Sequence, residues 1–366
     1  MLELREGSLR VCRQREHATN PWTEACRIRR GRRREDGTEA CLIETVRMND
    51  GAVNVEAYAR LHFGVLDLRG SHGRWFGGIG AAASTPSLLL SASRADAVNA
   101  EGPDAHRAAE FARQFLTHYG VSGGVSLRVH RSLPTHAGLG SGTQLALAVA
   151  RALAELYGRA TDVRELARAV GRARRSAIGT WTFAGGGLVV EGGRRPDREE
   201  CGPLIARVPF PSTWRCVVAV PRGIPGISGA EEADAFARLP KPSEQDVDRV
   251  AHLVLMELLP AVADADVEAF GRALSEIQEI TGRWFAPAQG GTFAPGPSGD
   301  LVRCLKEWGA AGVGQSSWGP AVYGIVDGAD AGARLAERAT AALGSAGQVY
   351  EGPFRSEGAR VWISRQ

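Results

Sequence analysis

Pro134-Thr-His-Ala-Gly-Leu-Gly-Ser-Gly-Thr143 is the segment of this sequence best suited to chemistry. Gly138, Gly140 and Gly142 let the backbone take positive φ and approach a ligand with no Cβ in between. An amphipathic stretch from Gln144 to Tyr157 follows at once, so the loop's N–H groups converge where a helix dipole begins. Such a combination holds an anion, and phosphate or pyrophosphate suits it best. Ser141 and Thr143 add hydroxyls for a phosphate oxygen or a magnesium-bound water, Ser141 being the candidate metal contact. Gln144 offers a neutral hydrogen bond, and His136, inside the loop, is a candidate acid or base. No Gly-Lys-[Ser/Thr] follows, so this is not a Walker A loop, and it is not a dinucleotide fingerprint. The competing reading is a tight strand-to-helix turn without a ligand. A preceding strand, a proline, three glycines and two hydroxyls at one point argue against it.

Two further regions carry reactive side chains. Arg60 and His62 fall on one face of an alternating strand, with Asp67 at its end and Arg74 beyond. Arg60 and Arg74 are candidates for holding a carboxylate or phosphate through two parallel bonds, or else are surface arginines. His62 is a candidate acid or base, or a core histidine. Asp67 is a candidate for magnesium, for sugar hydroxyls, or for a structural ion pair. Near the C-terminus a second glycine-rich stretch, Gly312-Val-Gly-Gln-Ser-Ser-Trp-Gly-Pro320, offers Gln315, Ser316 and Ser317 as neutral hydrogen-bonding groups. Trp318 can stack on an aromatic ligand or serve as a core tryptophan. Trp75 and Phe76 carry the same ambiguity. Arg174 and Arg175 precede Ser176, itself a candidate substrate contact, and one of the two arginines is expected to contact ligand.

The elements that position these groups follow from periodicity and turn chemistry. Val53, Val55, Ala57 and Ala59 alternate as a strand, and Gly70 to Gly80 is too glycine-rich for a regular element. Further strands are expected at 88–93, around Val125 to Val129, and at 188–191, 204–208, 216–220 and 321–326, with two closing the chain. Asp104 is expected to cap a helix running to Tyr119, and Asp162 another. Helices are also expected over 142–157, 230–238, 244–259, 264–281, 300–308 and 331–343. Strands in runs with helices grouped between them indicate α+β.

Composition limits the function classes. Hydrophobic residues are 44%, charged residues 23% and the net charge only +3, which fits a soluble globular enzyme and gives no case for nucleic acid. Lys241 and Lys306 stand against 42 arginines, so anions must be held by arginine, backbone N–H groups or a metal. Residues 1–50 contain eleven arginines with acidic residues interspersed, and read as a poorly ordered extension or as a start placed too early, with Met48 the true start. Cys12, Cys26, Cys41, Cys201, Cys216 and Cys304 form no C-x-x-C pair and are expected to be reduced. No apolar run reaches the ~20 residues of a membrane span and no secretory signal is visible, so the expected location is cytoplasmic.

The pattern P-x-x-x-G-L-G-S-G-T resembles the second motif of the galactokinase, homoserine kinase, mevalonate kinase and phosphomevalonate kinase (GHMP) superfamily. The stretch Gly312–Pro320 stands where that superfamily has its third. Four longer segments resemble β-ribofuranosylaminobenzene 5′-phosphate synthase: Arg60–Leu68, Arg74–Gly80, Gly140–Gln144 with Gly314–Pro320, and Arg175–Phe183. The resemblance covers roughly residues 52–366. It implies a two-domain GHMP-kinase-like fold, a ribosomal protein S5 domain 2-like domain over 51–212 and a ferredoxin-like domain over 213–366. It also implies a reaction. Phosphoribosyl pyrophosphate condenses with 4-aminobenzoate or 4-hydroxybenzoate, releasing pyrophosphate and CO2, in tetrahydromethanopterin biosynthesis. Mg2+, no organic cofactor, and a homodimer come with that implication; Arg174 or Arg175, by its place beside the Ser176 segment, is a candidate to reach the 5′-phosphate. Superfamily kinases with a catalytic aspartate place it in Ser-Gly-x-Asp; the comparable Ser176-Ala-Ile-Gly-Thr180 has no carboxylate. The alternatives are an ATP-dependent small-molecule kinase of this fold and a non-catalytic phospholigand binder.

Overall fold

The alternation that begins at Val53 forms a long strand, β1 (Ala52–Asp67), paired antiparallel with β2 (Phe76–Ala95). This computed structural model describes residues 51–198, 200–223, 226 and 229–364; the arginine-rich extension and its three cysteines lie outside the described residues. The β1–β2 register shifts between Tyr58 and Arg60 and again between His62 and Gly64. Bulges re-aim side chains, and these two bracket Arg60 and His62. The run Gly77–Gly80, expected to be irregular, is strand. Its glycines are needed for close packing: a Cβ on Gly80 would lie 2.3 Å from the Leu61 carbonyl oxygen and 2.5 Å from Ile178 Cγ2.

The chain continues through β3 (Asn99–Glu101), α1 (Ala105–Tyr119), β4 (Gly124–Arg131), α2 (Ser141–Tyr157), α3 (Val163–Ala169), α4 (Ile178–Gly185), β5 (Leu188–Glu191) and β6 (Leu204–Val208). Asp162 caps α3 as expected, accepting from the N–H groups of Arg164 and Glu165. Asp104 does not cap α1. It sits at φ 57° and spends its carboxylate on Arg107 and Ser132. Helix α2 is buried along most of its length because its alanines let it pack against β1, β2 and the other three helices. Helix α4 was not expected, since its short apolar run has no helical period to read.

Beyond β6 the chain enters a second sheet: β7 (Trp214–Pro221), α5 (Gly229–Arg238), α6 (Glu244–Leu253), a π-helical turn over Val254–Leu258, α7 (Leu259–Ala263), α8 (Val267–Gln289), α9 (Pro297–Glu307), β8 (Gly312–Gln315), β9 (Val322–Asp327), α10 (Ala329–Leu343) and β10 (Gly347–Pro353). Its order is β10-β7-β9-β8 with every neighbouring pair antiparallel. Strands β7 and β8 therefore run parallel with β9 between them, which is the split βαβ arrangement of a ferredoxin-like sheet. The glycines at 312 and 314 sit in β8 rather than in a turn. A Cβ on Gly271 of α8 would lie 2.0 Å from the Ala311 carbonyl oxygen, so helix and strand touch backbone to backbone there.

The last strand, β11 (Arg360–Ser364), pairs with β1 and completes a seven-stranded first sheet. The chain first crosses between sheets at 209–213 and returns at its end. Phe63 of β1 meets Tyr323 of β9 (ring centroids 5.1 Å apart) and Phe270 of α8 (6.4 Å), so one apolar core runs between the sheets. Fold class and architecture are α+β, with an S5-like first sheet and a ferredoxin-like second.

Candidate active site

The two glycine-rich loops are built against each other. Gly138 stands at φ 78°, and a Cβ there would lie 2.1 Å from the carbonyl oxygen of Ser316. The Gly138 carbonyl accepts from Arg60 Nη1 (2.6 Å) and from Ser316 Oγ (2.7 Å). Ser316 Oγ in turn accepts from the backbone N–H of His62 (2.9 Å). Leu139 O accepts from Arg60 N (3.0 Å) and Ala137 O from Ala321 N (3.0 Å). The loop's carbonyls are thus bound by β1 and by the β8–β9 loop. At the helix start the N–H groups of Thr143 and Gln144 both donate to the Gly140 carbonyl (3.0 Å each). Gly140, at φ 75°, precedes α2 and has no capping side chain, so the first turn of a long buried helix is open to a ligand. Gly140 also makes room for Arg60, whose Cγ would lie 2.7 Å from a Cβ there.

This helix start faces a cleft of about 370 Å³. Arg60, His136, Ser141, Thr143, Arg175, Ser317 and Trp318 line it together with the three loop glycines. Three charged contributors do not follow from the sequence reading: Arg107 from α1, Arg172 from the α3–α4 turn, and Glu232 from α5. Arg107 Nη2 would lie 2.8 Å from a Cβ on Gly142, and Arg172 Nη2 3.6 Å, so two guanidinium groups lie over the helix start. Glu232 is the one carboxylate lining the cleft among the described residues, and it pairs with Arg175 at 2.7 Å. Burial lowers Arg60 to about 10, with Glu232 pulling the other way; it stays charged at neutral pH. Four arginines on one helix start, of which Arg107 is paired with Asp104 (3.1 Å) and Arg175 with Glu232, leave Arg60 and Arg172 without a carboxylate partner among the described residues and can hold a multiply charged anion.

His62 lies just behind the cleft, buried, in the wall of a small neighbouring cavity that shares Ser317 with it. Its Nε2 is 3.4 Å from Ser176 Oγ, which also accepts from the N–H of Ile178 at the start of α4 (3.3 Å). Burial and then the Arg60 charge push His62 down to about 3, so the imidazole is neutral. Trp318 is 7% exposed and joins Phe236 (5.4 Å) and Phe285 (4.8 Å) in an edge-to-face aromatic wall beside the cleft.

Several sequence-derived candidates are committed elsewhere. Asp67 accepts from the backbone N–H groups of Arg69 (2.5 Å) and Gly70 (3.0 Å), closing the turn after β1, and does not line the cleft. Arg74 donates to the carbonyls of Gly192 (3.3 Å) and Gly193 (3.1 Å) and lines a different cavity. Trp75, whose backbone pairs with that of Arg194, lies outside the cleft too, whereas Phe76 packs on Phe236 at its edge. Gln315 accepts from Ala294 N (2.7 Å) and donates to Gln289 and to the Ser317 carbonyl. Gln144 ties α2 to α4 through the Gly179 carbonyl (3.0 Å), its Oε1 buried and without a partner. Gln315, Ser316 and Gln144 therefore hold the loops in place and present little to a ligand. Glu191 anchors α4 in the same manner, accepting from Ala177 N (3.3 Å) and Gly193 N (2.8 Å), and burial pushes it up to about 7. No group of three metal-ligating side chains occurs among the described residues.

The sequence matches the family models described as GHMP kinases N terminal domain (residues 105–186) and GHMP kinases C terminal (258–345). The β-ribofuranosylphenol 5′-phosphate synthase of Methanothermobacter thermautotrophicus is 36% identical over 291 residues, 74% of this chain and 87% of that one. The protein of the same name from Archaeoglobus fulgidus is 37% identical over 282 residues, 74% and 86% of the two chains. The chain belongs to this synthase family. Among solved structures, homoserine kinase from Cytophaga hutchinsonii superimposes with a TM-score of 0.65 at 18% identity, covering 87% of this chain and all of that one. The synthase family thus carries the GHMP-kinase fold. The glycine loop and α4 both fall within the matched N-terminal region, and α8 and β8–β9 within the C-terminal one. No helix among the described residues is long and apolar enough to cross a membrane.

Proposed function

We propose that this chain is an enzyme that joins phosphoribosyl pyrophosphate to 4-hydroxybenzoate, releasing pyrophosphate and CO2 and leaving a C–C bond between ribose and phenol. The observation that carries the proposal is the convergence of Arg60, Arg107, Arg172 and Arg175 on the uncapped start of α2, in a cleft whose one described carboxylate is held by Arg175. Phosphotransferases that use a catalytic carboxylate set it against the hydroxyl nucleophile. Here the α4 segment that faces the loop, Ser176–Thr180, brings no carboxylate. The arrangement suits departure of a pyrophosphate instead, since fixed donors and cations stabilise charge as it develops on a leaving group. The names of the two relatives point to a phenol product, hence to the hydroxylated acceptor over the aminated one.

The bond changes place definite demands on the protein. The ribose C1–O bond breaks and its electron pair leaves with pyrophosphate, into the α2 start and its arginines. The ring carbon bearing the carboxylate supplies the pair for the new C–C bond. The bond to the carboxylate then breaks, CO2 departs, and its electron pair restores the aromatic ring. Arg60, with donors to spare beyond its bond to Gly138, is assigned to orient the benzoate carboxylate. The aromatic wall at Trp318 and Phe285 borders the ring. Loss of CO2 returns the electron pair to the ring without removing the hydroxyl's proton, so the neutral His62 is assigned to hydrogen-bond that hydroxyl as charge builds on the ring.

Magnesium fits as an ion carried in on the pyrophosphate, because Mg2+ prefers one or two carboxylates plus substrate oxygens and water. Ser141 and Glu232 are the residues that would hold it, and it would neutralise charge on the leaving group. Asp67, engaged in its own turn, is not suited to it. The chain acts on small molecules in this reading, as a cytoplasmic homodimer. The test is product analysis: incubation with both substrates should give a phenol riboside phosphate whose anomeric carbon shows a carbon–carbon coupling to the ring. A phosphorylated alcohol formed from ATP would establish the kinase reading instead.

A further inference from the structure

Next to the cleft lies a second cavity of about 250 Å³, walled largely by arginine. Three of these arginines are matched by carboxylates: Arg164 by Asp162 (3.3 Å), Arg168 by Glu165 (2.6 Å) and Arg198 by Glu200 (3.9 Å). The others are not matched in the same way. Arg172, Arg174 and Arg194 form no ion pair among the described residues, while Arg175 has only Glu232 on the cleft side. Arg172 Nε, Arg175 Nη1 and Arg194 Nε are buried without hydrogen-bond partners. Arg172 and Arg194 are held over the rings of Phe111 (4.8 Å) and Phe76 (5.7 Å), so their positions are fixed by packing. Burial, and after it the like charges of Arg107 and Arg174, lower Arg172 from its ordinary value. Guanidinium donors gathered in one small chamber and left unfilled match a phosphate dianion.

Arg172 and Arg175 line both this chamber and the glycine-loop cleft. One ligand with two phosphate groups separated by a sugar therefore fits both. We infer that the chamber of Arg172, Arg174, Arg175 and Arg194 binds the 5′-phosphate of the phosphoribosyl substrate, while the α2 start binds its pyrophosphate. This inference rests on the reaction proposed above. It makes the two shared arginines the hinge of recognition, sensing both ends of the substrate at once. Cys201, also in the chamber wall, is pushed up to about 12 by burial and adds no charge to the chamber at neutral pH.

The test separates the two anion sites without needing turnover. Ribose 5-phosphate and magnesium pyrophosphate are titrated calorimetrically into the full chain, singly and in sequence. Both should bind, and saturation with one should leave a full equivalent of sites for the other. Arg174→Ala, an exposed position, and Arg194→Ala should each weaken ribose 5-phosphate by ~10- to 100-fold, the value of a charge-assisted hydrogen bond, and pyrophosphate by less than ~3-fold. Ser141→Ala should do the reverse. Direct competition between the two ligands, or ribose 5-phosphate binding indifferent to both arginines, would overturn the inference. If wild-type chain releases no CO2 yet the two-site pattern holds, the reaction fails and the chamber stands. If CO2 is released but neither arginine variant raises KM for phosphoribosyl pyrophosphate, the reaction stands and the chamber fails.

Discussion

Gly138→Ala probes the joint between the two loops, because the methyl group meets backbone and not a side chain that can swing aside. Its Cβ would fall 2.1 Å from the Ser316 carbonyl oxygen and 3.3 Å from the Gly319 nitrogen, at φ 78°. Gly158, at the C-terminal end of α2, has the same left-handed backbone (φ 58°) with nothing within 4 Å of a Cβ. Gly158→Ala therefore carries the conformational penalty alone, about 1 kcal/mol. Gly138→Ala carries that penalty and must also part the loops. Parting them strips the Gly138 carbonyl of Arg60 and Ser316, adding about 2 kcal/mol for buried polar groups left unmet. At about 2 °C per kcal/mol for a chain this long, the melting temperatures should fall by roughly 6 °C and 2 °C. Activity should separate the two variants further. A displacement of about 1 Å in Arg60 and the helix start should cost on the order of 100-fold in kcat/KM, with Gly158→Ala unchanged. Thermal unfolding and steady-state CO2 release measure both quantities. If Gly138→Ala matches Gly158→Ala in each, the loops are not interlocked and the active site is not built around their joint.

Ser316→Ala should destabilise by about 1–3 kcal/mol in denaturant titrations, since it leaves the His62 N–H and a share of the Gly138 carbonyl unpaired. His62 gives a pH signature. Its folded value of about 3 lies below its ordinary 6.5, so between those values the unfolded chain binds the extra proton and stability falls as pH drops. From pH 6.5 to 5.0 the wild type should lose about 2 kcal/mol relative to His62→Asn; parallel curves for the two proteins would contradict a neutral buried His62. Glu232→Gln should raise the Mg2+ concentration for half-maximal CO2 release by about tenfold, and an unchanged requirement would remove Glu232 from the metal's surroundings.

What could be read in the sequence was local. The glycine spacing, the hydroxyls and the following helix all lie within Pro134–Tyr157, and in the structure the loop lines one cleft at the start of α2. Arg107 and Glu232 were invisible because nothing near them in sequence distinguishes them; packing of α1 and α5 brings them to the cleft. Arg172 hid in a run of arginines, where only burial tells one from another. The side chains beside the glycine loops share one feature. Gln144, Gln315 and Ser316 read from the sequence as ligand contacts and Asp67 as a ligand contact or a structural ion pair, whereas each satisfies backbone groups of the protein itself. Buried polar backbone must find partners, and side chains beside glycine loops are the ones available to serve it. In the fold, the regular strands were legible from alternation, whereas Gly77–Gly80 and Gly312–Gln315 looked like loops because close helix packing had removed their side chains.

The synthase reaction is tested most directly by incubating the full chain with phosphoribosyl pyrophosphate, Mg2+ and carboxyl-labelled 4-hydroxybenzoate. Labelled CO2 and pyrophosphate should appear in equal amounts, and neither should form when any component is omitted. ATP consumption with no CO2 released would contradict the synthase reading and assign the cleft to phosphoryl transfer.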